Sequence, residues 1–273
     1  MPPPWNRWDL HPTVLIGLAL LSGLYVLLGG LGAARRQVAS FFGAVAVLLL
    51  ALNGPLHDLS DYYLFSAHMA QHLLLTLVFP PLLLYGTPAH VILPLLRPPA
   101  VRAVARVVTR PLVAATLFTA PIVLWHVPVL YEAALRDHDL HILQHIVFLT
   151  TAVLMWWPVL SPLPELPRAA YPLQMLYLFL LGIPMSVTGA LIALAERVLY
   201  PFYAAAPRVW GLTALADQQI GGLLMWVPGG LALWIAMTVV WFRWALWSER
   251  GYDDREVPLA AYEKQISNIE YPM

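Results

Sequence analysis

Seven stretches of nearly unbroken apolar residues, at positions 13–33, 38–54, 64–85, 111–126, 140–160, 170–195 and 218–242, alternate with shorter segments that hold most of the charge. A hydrocarbon core of ~30 Å takes about 20 helical residues to cross. These runs do not alternate with period two, and only a helix satisfies every backbone polar group internally over such a length. The pattern therefore predicts an all-α fold, a polytopic membrane bundle of seven transmembrane helices. Prolines at Pro80-Pro81, Pro121, Pro158, Pro184 and Pro228, with glycine pairs at Gly221-Gly222 and Gly229-Gly230, interrupt the spans. They shape close helix packing or mark broken helices around a cavity.

Charge gives the pattern a direction. Arg35, Arg36, Arg97, Arg102, Arg106, Arg110, Arg168, Arg243, Arg250, Arg255 and Lys264 fall on one side of a seven-span map, and Arg7, Arg136, Arg197 and Arg208 on the other. The excess of basic residues in cytoplasmic segments then puts the N-terminus outside and the C-terminus in the cytoplasm. Residues 1–12 lack a basic n-region and Arg35-Arg36 follows the first run, so that run is expected to be retained rather than cleaved as a signal. Residues 1–245 form one transmembrane domain, and 246–273, mixed in sign, a polar cytoplasmic tail.

Composition agrees: 60% of the 273 residues are apolar and 11% charged, too few charges to cover a soluble protein of this size. A net charge of zero with a single lysine argues against a nucleic-acid partner. With no cysteine, disulfides, thiolate metal sites and thiol nucleophiles are all absent.

Acidic and basic residues avoid the spans, whereas histidines enter them. Eight of the nine histidines map to the outer leaflet or the outer aqueous side, and only His90 maps inward. Two segments share a spelling, His68-Met69-Ala70-Gln71-His72 and His141-Ile142-Leu143-Gln144-His145, each on a span running from outside to inside. Spacing i, i+4 puts both imidazoles of a pair on one helix face, about 5–6 Å apart at Cβ. One histidine at such depth more often serves packing, hydrogen-bonded across helices. Two matched pairs in one leaflet point instead to a metal site of four nitrogens, with Gln71 and Gln144 as outer partners of the rings. His126 ends the fourth span at the same level. Asp217, opening the last span, has two roles open to it: a helix cap, or a ligand or ligand-orienting carboxylate. Tyr62, Tyr63, Trp125, Trp156, Trp157, Trp241, Trp244 and Trp247 read as interfacial belts.

Imidazole suits copper, zinc, iron and nickel, and methionine sulfur nearby tilts the choice toward copper. A zincin protease would need Glu after the first His of a pair, where Met69 and Ile142 stand. No Walker A loop, G-x-G-x-x-G or G-x-S-x-G occurs.

Further residues carry a resemblance. His68 to His72 is followed by Pro80-Pro81-Leu-Leu-Leu-Tyr-Gly86-Thr-Pro88, then Trp125-His126-x-Pro128 with Tyr131-Glu132-Ala133-Ala134-Leu135, then His141 to His145 closing at Trp156-Trp157-Pro158, and Asp217-Gln218-Gln219 with Gly221-Gly222 and Met225-Trp226. Over positions of about 40 to 245 this resembles the CtaG family of cytochrome c oxidase assembly proteins, the seven-span family associated with caa-type oxidases. The resemblance implies a non-enzymatic assembly factor of the bacterial inner membrane that supplies copper to the oxidase binuclear centre. Relatives fused to copper-resistance membrane domains point the same way. On that reading His68, His72, His141 and His145 hold the ion, His126 and Asp217 assist, a periplasmic donor loads it and an apo-oxidase subunit receives it. Two alternatives use the same residues: a b-type haem protein with His72 and His145 as axial ligands, and a copper transporter built on the kinked spans.

Overall fold

The structure is a computed structural model and describes residues 10–249. It is helical throughout, with no strand among the described residues: α1 (Pro12–Leu27), α2 (Arg35–Leu52), α3 (Pro55–Tyr62), α4 (Phe65–Gly86), α5 (Pro99–Val108), α6 (Pro111–Trp125), α7 (Pro128–Arg136), α8 (His138–Leu160), α9 (Tyr171–Ala193), α10 (Pro201–Ala205) and α11 (Ala214–Ser248). Pro12, Pro55, Pro99, Pro111, Pro128 and Pro201 each open a helix, where the missing N–H has no intrahelical partner to lose. Of the expected tail, residues 250–273 lie outside the described residues, as do Arg7, Arg250, Arg255 and Lys264 of the charge map.

Helices α2, α4, α8, α9 and α11 are long and apolar enough to cross a membrane, and α5 with α6 makes a sixth candidate broken by a 76° bend. The remaining predicted span is short. Its apolar run reaches residue 33, but α1 stops at Leu27 because Gly29 takes the left-handed conformation (φ 83°) and a 3₁₀ turn follows over Gly30–Gly32. At 1.5 Å per residue its 16 residues span ~24 Å. Outward-facing Leu112, Leu173, Leu176, Leu180, Val187 and Leu191 are exposed, an apolar surface suited to lipid.

Two local features set the interior. In α4 the backbone passes through a π segment, Leu74–Val78, just before Pro80. Pro80 has no N–H to offer the carbonyl of Thr76, and that carbonyl instead accepts from the indole of Trp156 at 2.9 Å. The Thr76 hydroxyl donates in turn to the carbonyl of His72 at 2.7 Å. Trp156 and Trp157 are thus buried core residues, not a membrane-interface belt, and Trp157 donates to Leu166 O at 3.1 Å. A tryptophan with a buried acceptor inside the bundle gains more there than at the interface.

Helices α9 and α11 approach backbone to backbone. A Cβ on Gly189 would stand 2.7 Å from Trp226 N, and one on Gly222 would meet the backbone nitrogen of Ala193. Small residues allow this contact where lipid removes the hydrophobic drive for association. Gly222→Leu is expected to push the helices apart and destabilise the fold by about 1–3 kcal/mol. Unfolding in detergent checks this, and an unchanged midpoint contradicts it.

Candidate metal centre

Two N-terminal caps place the histidines. Asp137 accepts from the backbone N–H groups of Asp139 and Leu140, each at 3.0 Å, so α8 begins at His138 and carries His141 and His145 on one face. Helix α4 has no side-chain cap from its own flank. Its start is held from across the bundle: Asp217 accepts from Phe65 N at 2.8 Å, Ser66 N at 3.1 Å and Ser66 Oγ at 2.5 Å. Asp217 is therefore a cap for α4, while Thr213 caps its own helix by accepting from Ala216 N. Both carboxylate oxygens are engaged there, so Asp217 fixes the helix that bears His68 and His72.

The cluster itself unites α4 and α8. His68, His141 and His145, all buried, each offer one ligand atom, and the three atoms lie within 4.8 Å of one another. Their ring centroids are 5.5 Å (His68–His141), 6.2 Å (His68–His145) and 4.5 Å (His141–His145) apart. His72 lies beside the trio, its Nε2 2.8 Å from His68 Nε2 and its ring 5.8 Å from that of His145. His126 is one step further out, 6.2 Å from the His72 ring. The two pairs thus face each other, with His72 and His126 flanking three central nitrogens.

Hydrogen bonds fix which nitrogens carry protons. Tyr203 Oη lies 2.6 Å from the carbonyl of Ser60, which can only accept, so the phenol donates to it. It then accepts from His68 Nδ1 at 3.0 Å, which leaves His68 Nε2 bare to accept from His72 Nε2. Burial holds the Tyr203 hydroxyl well above its ordinary pKa, which keeps it a donor. His126 Nδ1 donates to Ile122 O at 2.6 Å. Four buried nitrogens remain without a partner in the protein: His72 Nδ1, His126 Nε2, His141 Nε2 and His145 Nε2. An orphaned buried polar atom costs about 1–3 kcal/mol, so four in one place mark a site built for something other than stability.

Aromatic rings wall the cluster. Tyr131, Tyr200 and Tyr203 are each about 1% exposed, Phe65 stacks on Tyr200 at 4.7 Å, and Tyr131 lies 5.4 Å from His68. Tyr200 donates to His126 O at 2.9 Å. Glu132 joins this frame, accepting from Phe202 N at 2.9 Å. Gln71 donates to Ala51 O (2.7 Å) and contacts His57 Nδ1 (3.2 Å) instead of partnering the four histidines, and both side-chain atoms of Gln144 are buried without a partner.

Two contributors escaped the sequence reading. Tyr203 comes from the segment before α11, and no local spacing links it to His68. Asp61 lies 3.9 Å from His141 Nε2 and 3.4 Å from His57 Nε2. The i, i+4 spacing of His57 and Asp61 was a usable signal.

Three buried imidazoles held this close together are a ligand set for a borderline transition-metal ion. An uncharacterized protein of Mycobacterium bovis is 29% identical over 199 residues, which cover 67% of this chain and 30% of that protein. A counterpart in Mycobacterium tuberculosis gives the same figures, and one in Mycobacterium leprae is 26% identical over 227 residues, 77% of this chain and 34% of its own. The chain spans about a third of the length of these curated relatives. No solved structure matches it. The helical membrane architecture, the paired histidines and a match over residues 8–246 agree, and the chain belongs to the family of the cytochrome c oxidase caa3 assembly factor (Caa3_CtaG).

Proposed function

We propose that the protein is a non-catalytic copper carrier of the bacterial inner membrane, holding an ion between α4 and α8 and delivering it to the binuclear centre of an apo-oxidase subunit. One observation carries the reading: three buried histidines whose ligand atoms come within 4.8 Å of one another in a chain of this family. Neutral imidazoles exchange copper more readily than a closed thiolate cage, which suits a carrier that must release its ion. His72 and His126, with bare nitrogens beside the trio, complete the coordination as the ion arrives or leaves.

The membrane arrangement belongs to the same proposal: α1 and α6 each cross, giving seven spans with the N-terminus outside. It is supported by the cluster lying at the N-terminal ends of α4 and α8, whereas Arg97, Arg102, Arg106 and Arg110 precede α6 and so stand at the opposite end from His126. The ion is thereby within reach of a periplasmic donor. A haem between His72 and His145 would have to displace His68, whose ring lies 4.2 Å from the one and 6.2 Å from the other.

The test is in cells lacking the protein. Wild type restores copper to the oxidase binuclear centre, whereas a His68→Ala, His145→Ala chain present at equal abundance leaves oxidase copper at the level of the deletion. Full restoration by the double variant overturns the proposal.

A further inference from the structure

A cavity of about 400 Å³ opens between α1, α2, α3 and α8. Much of its wall is apolar, Val14, Leu18, Leu48 and Leu149 among it, but His11, His57, Asp61, His138, His141 and His145 line it too. Two of these, His141 and His145, belong to the buried trio, and His138 is exposed. The cavity therefore runs from the surface to the metal centre along a line of ligand-type side chains.

The spacing of that line is the informative part. His11 and His57 meet edge to face at 4.5 Å between ring centroids. His57 Nε2 is 3.4 Å from Asp61 Oδ2, and Asp61 Oδ1 is 3.9 Å from His141 Nε2. Two ligand atoms bound to one ion at ~2.0–2.1 Å each are at most about 4 Å apart, so the His57–Asp61 and Asp61–His141 pairs are each able to share an ion before it passes on. The parts are held in place. Asn53 accepts from His11 N at 2.8 Å, Gln71 contacts His57 Nδ1 at 3.2 Å, and Ser60 donates to Asp61 at 2.9 Å. His11 Nε2 and His141 Nε2 are buried without a hydrogen-bond partner.

We infer that this cavity is the entry path of the metal, with His57 and Asp61 taking a copper ion from the His11 and His138 side and passing it to His141. The inference rests on the carrier reading above and adds the route. Asp61 is the carboxylate bridging the two histidine groups, and its charge draws a cation toward a buried site made of neutral rings.

The test follows uptake of Cu(II) ions by the purified full-length chain in detergent, read by quenching of tryptophan fluorescence, with copper content measured at the end. A His57→Gln, Asp61→Asn variant is expected to reach wild-type final content at least tenfold more slowly. Gly17→Phe, placed in the cavity wall where an added Cβ meets nothing within 4 Å, puts a ring into the cavity and is expected to slow uptake likewise. Wild-type rates in both variants overturn the path, and so does lost final content in the first, which would make His57 and Asp61 holding ligands. The His68→Ala, His145→Ala chain separates the two readings: it holds no copper if the carrier reading is right, and wild-type content in it ends that reading. A wild-type chain that takes up no copper overturns both.

Discussion

Asp217→Ala is expected to destabilise the protein by about 3–5 kcal/mol. The side chain is fully buried and is the acceptor for the first two N–H groups of α4 and for the Ser66 hydroxyl. Losing an N-terminal cap costs about 0.5–2 kcal/mol, and each buried N–H left without a partner about 1–3 kcal/mol. Nothing local can substitute, since Leu64 precedes the helix and offers no polar side chain. Asp217→Asn keeps one carbonyl acceptor and is expected to lose about half as much. Chemical unfolding in detergent measures both, and a loss below about 1 kcal/mol for Asp217→Ala contradicts the capping role.

His145→Leu is expected to act in the opposite sense on stability while abolishing metal binding. His145 Nε2 makes no hydrogen bond in the protein, so replacing the ring by an apolar side chain of similar volume removes an orphaned polar atom rather than a bond. The fold should be as stable as wild type or more so. Copper affinity should fall by more than the 10–100-fold that follows loss of a group merely supporting a ligand. A histidine kept for packing gives the reverse outcome: a less stable protein with its metal content unchanged. Titration of copper alongside thermal unfolding separates the two.

Much of this was legible in the chain, because the bilayer constrains it so heavily. Long apolar runs have to become helices, and the repeated His-x-x-Gln-His spelling places each imidazole pair on a single face whatever the neighbours do. Helix ends were harder. The apolar run through residue 33 gave no hint that Gly29 would turn left-handed and stop α1 at Leu27. Trp156 and Trp157 look like interfacial residues by type alone, and only the buried acceptor carbonyls of Thr76 and Leu166 explain why their indoles point inward. Asp217 was readable as a cap, but not as the cap of a helix 151 residues earlier in the chain, since that depends on how α4 and α11 meet. Tyr203 is invisible for the same reason. Its value lies in the hydrogen bond that sets the tautomer of His68, a contact spanning 135 residues.

The most direct measurement is X-ray absorption at the copper edge on the metal-loaded protein. The account predicts a first shell of imidazole nitrogens supplied by His68, His141 and His145, and no copper signal from the His68→Ala, His145→Ala chain. A shell of sulfur or of oxygen alone, or one spectrum shared by both proteins, would contradict it.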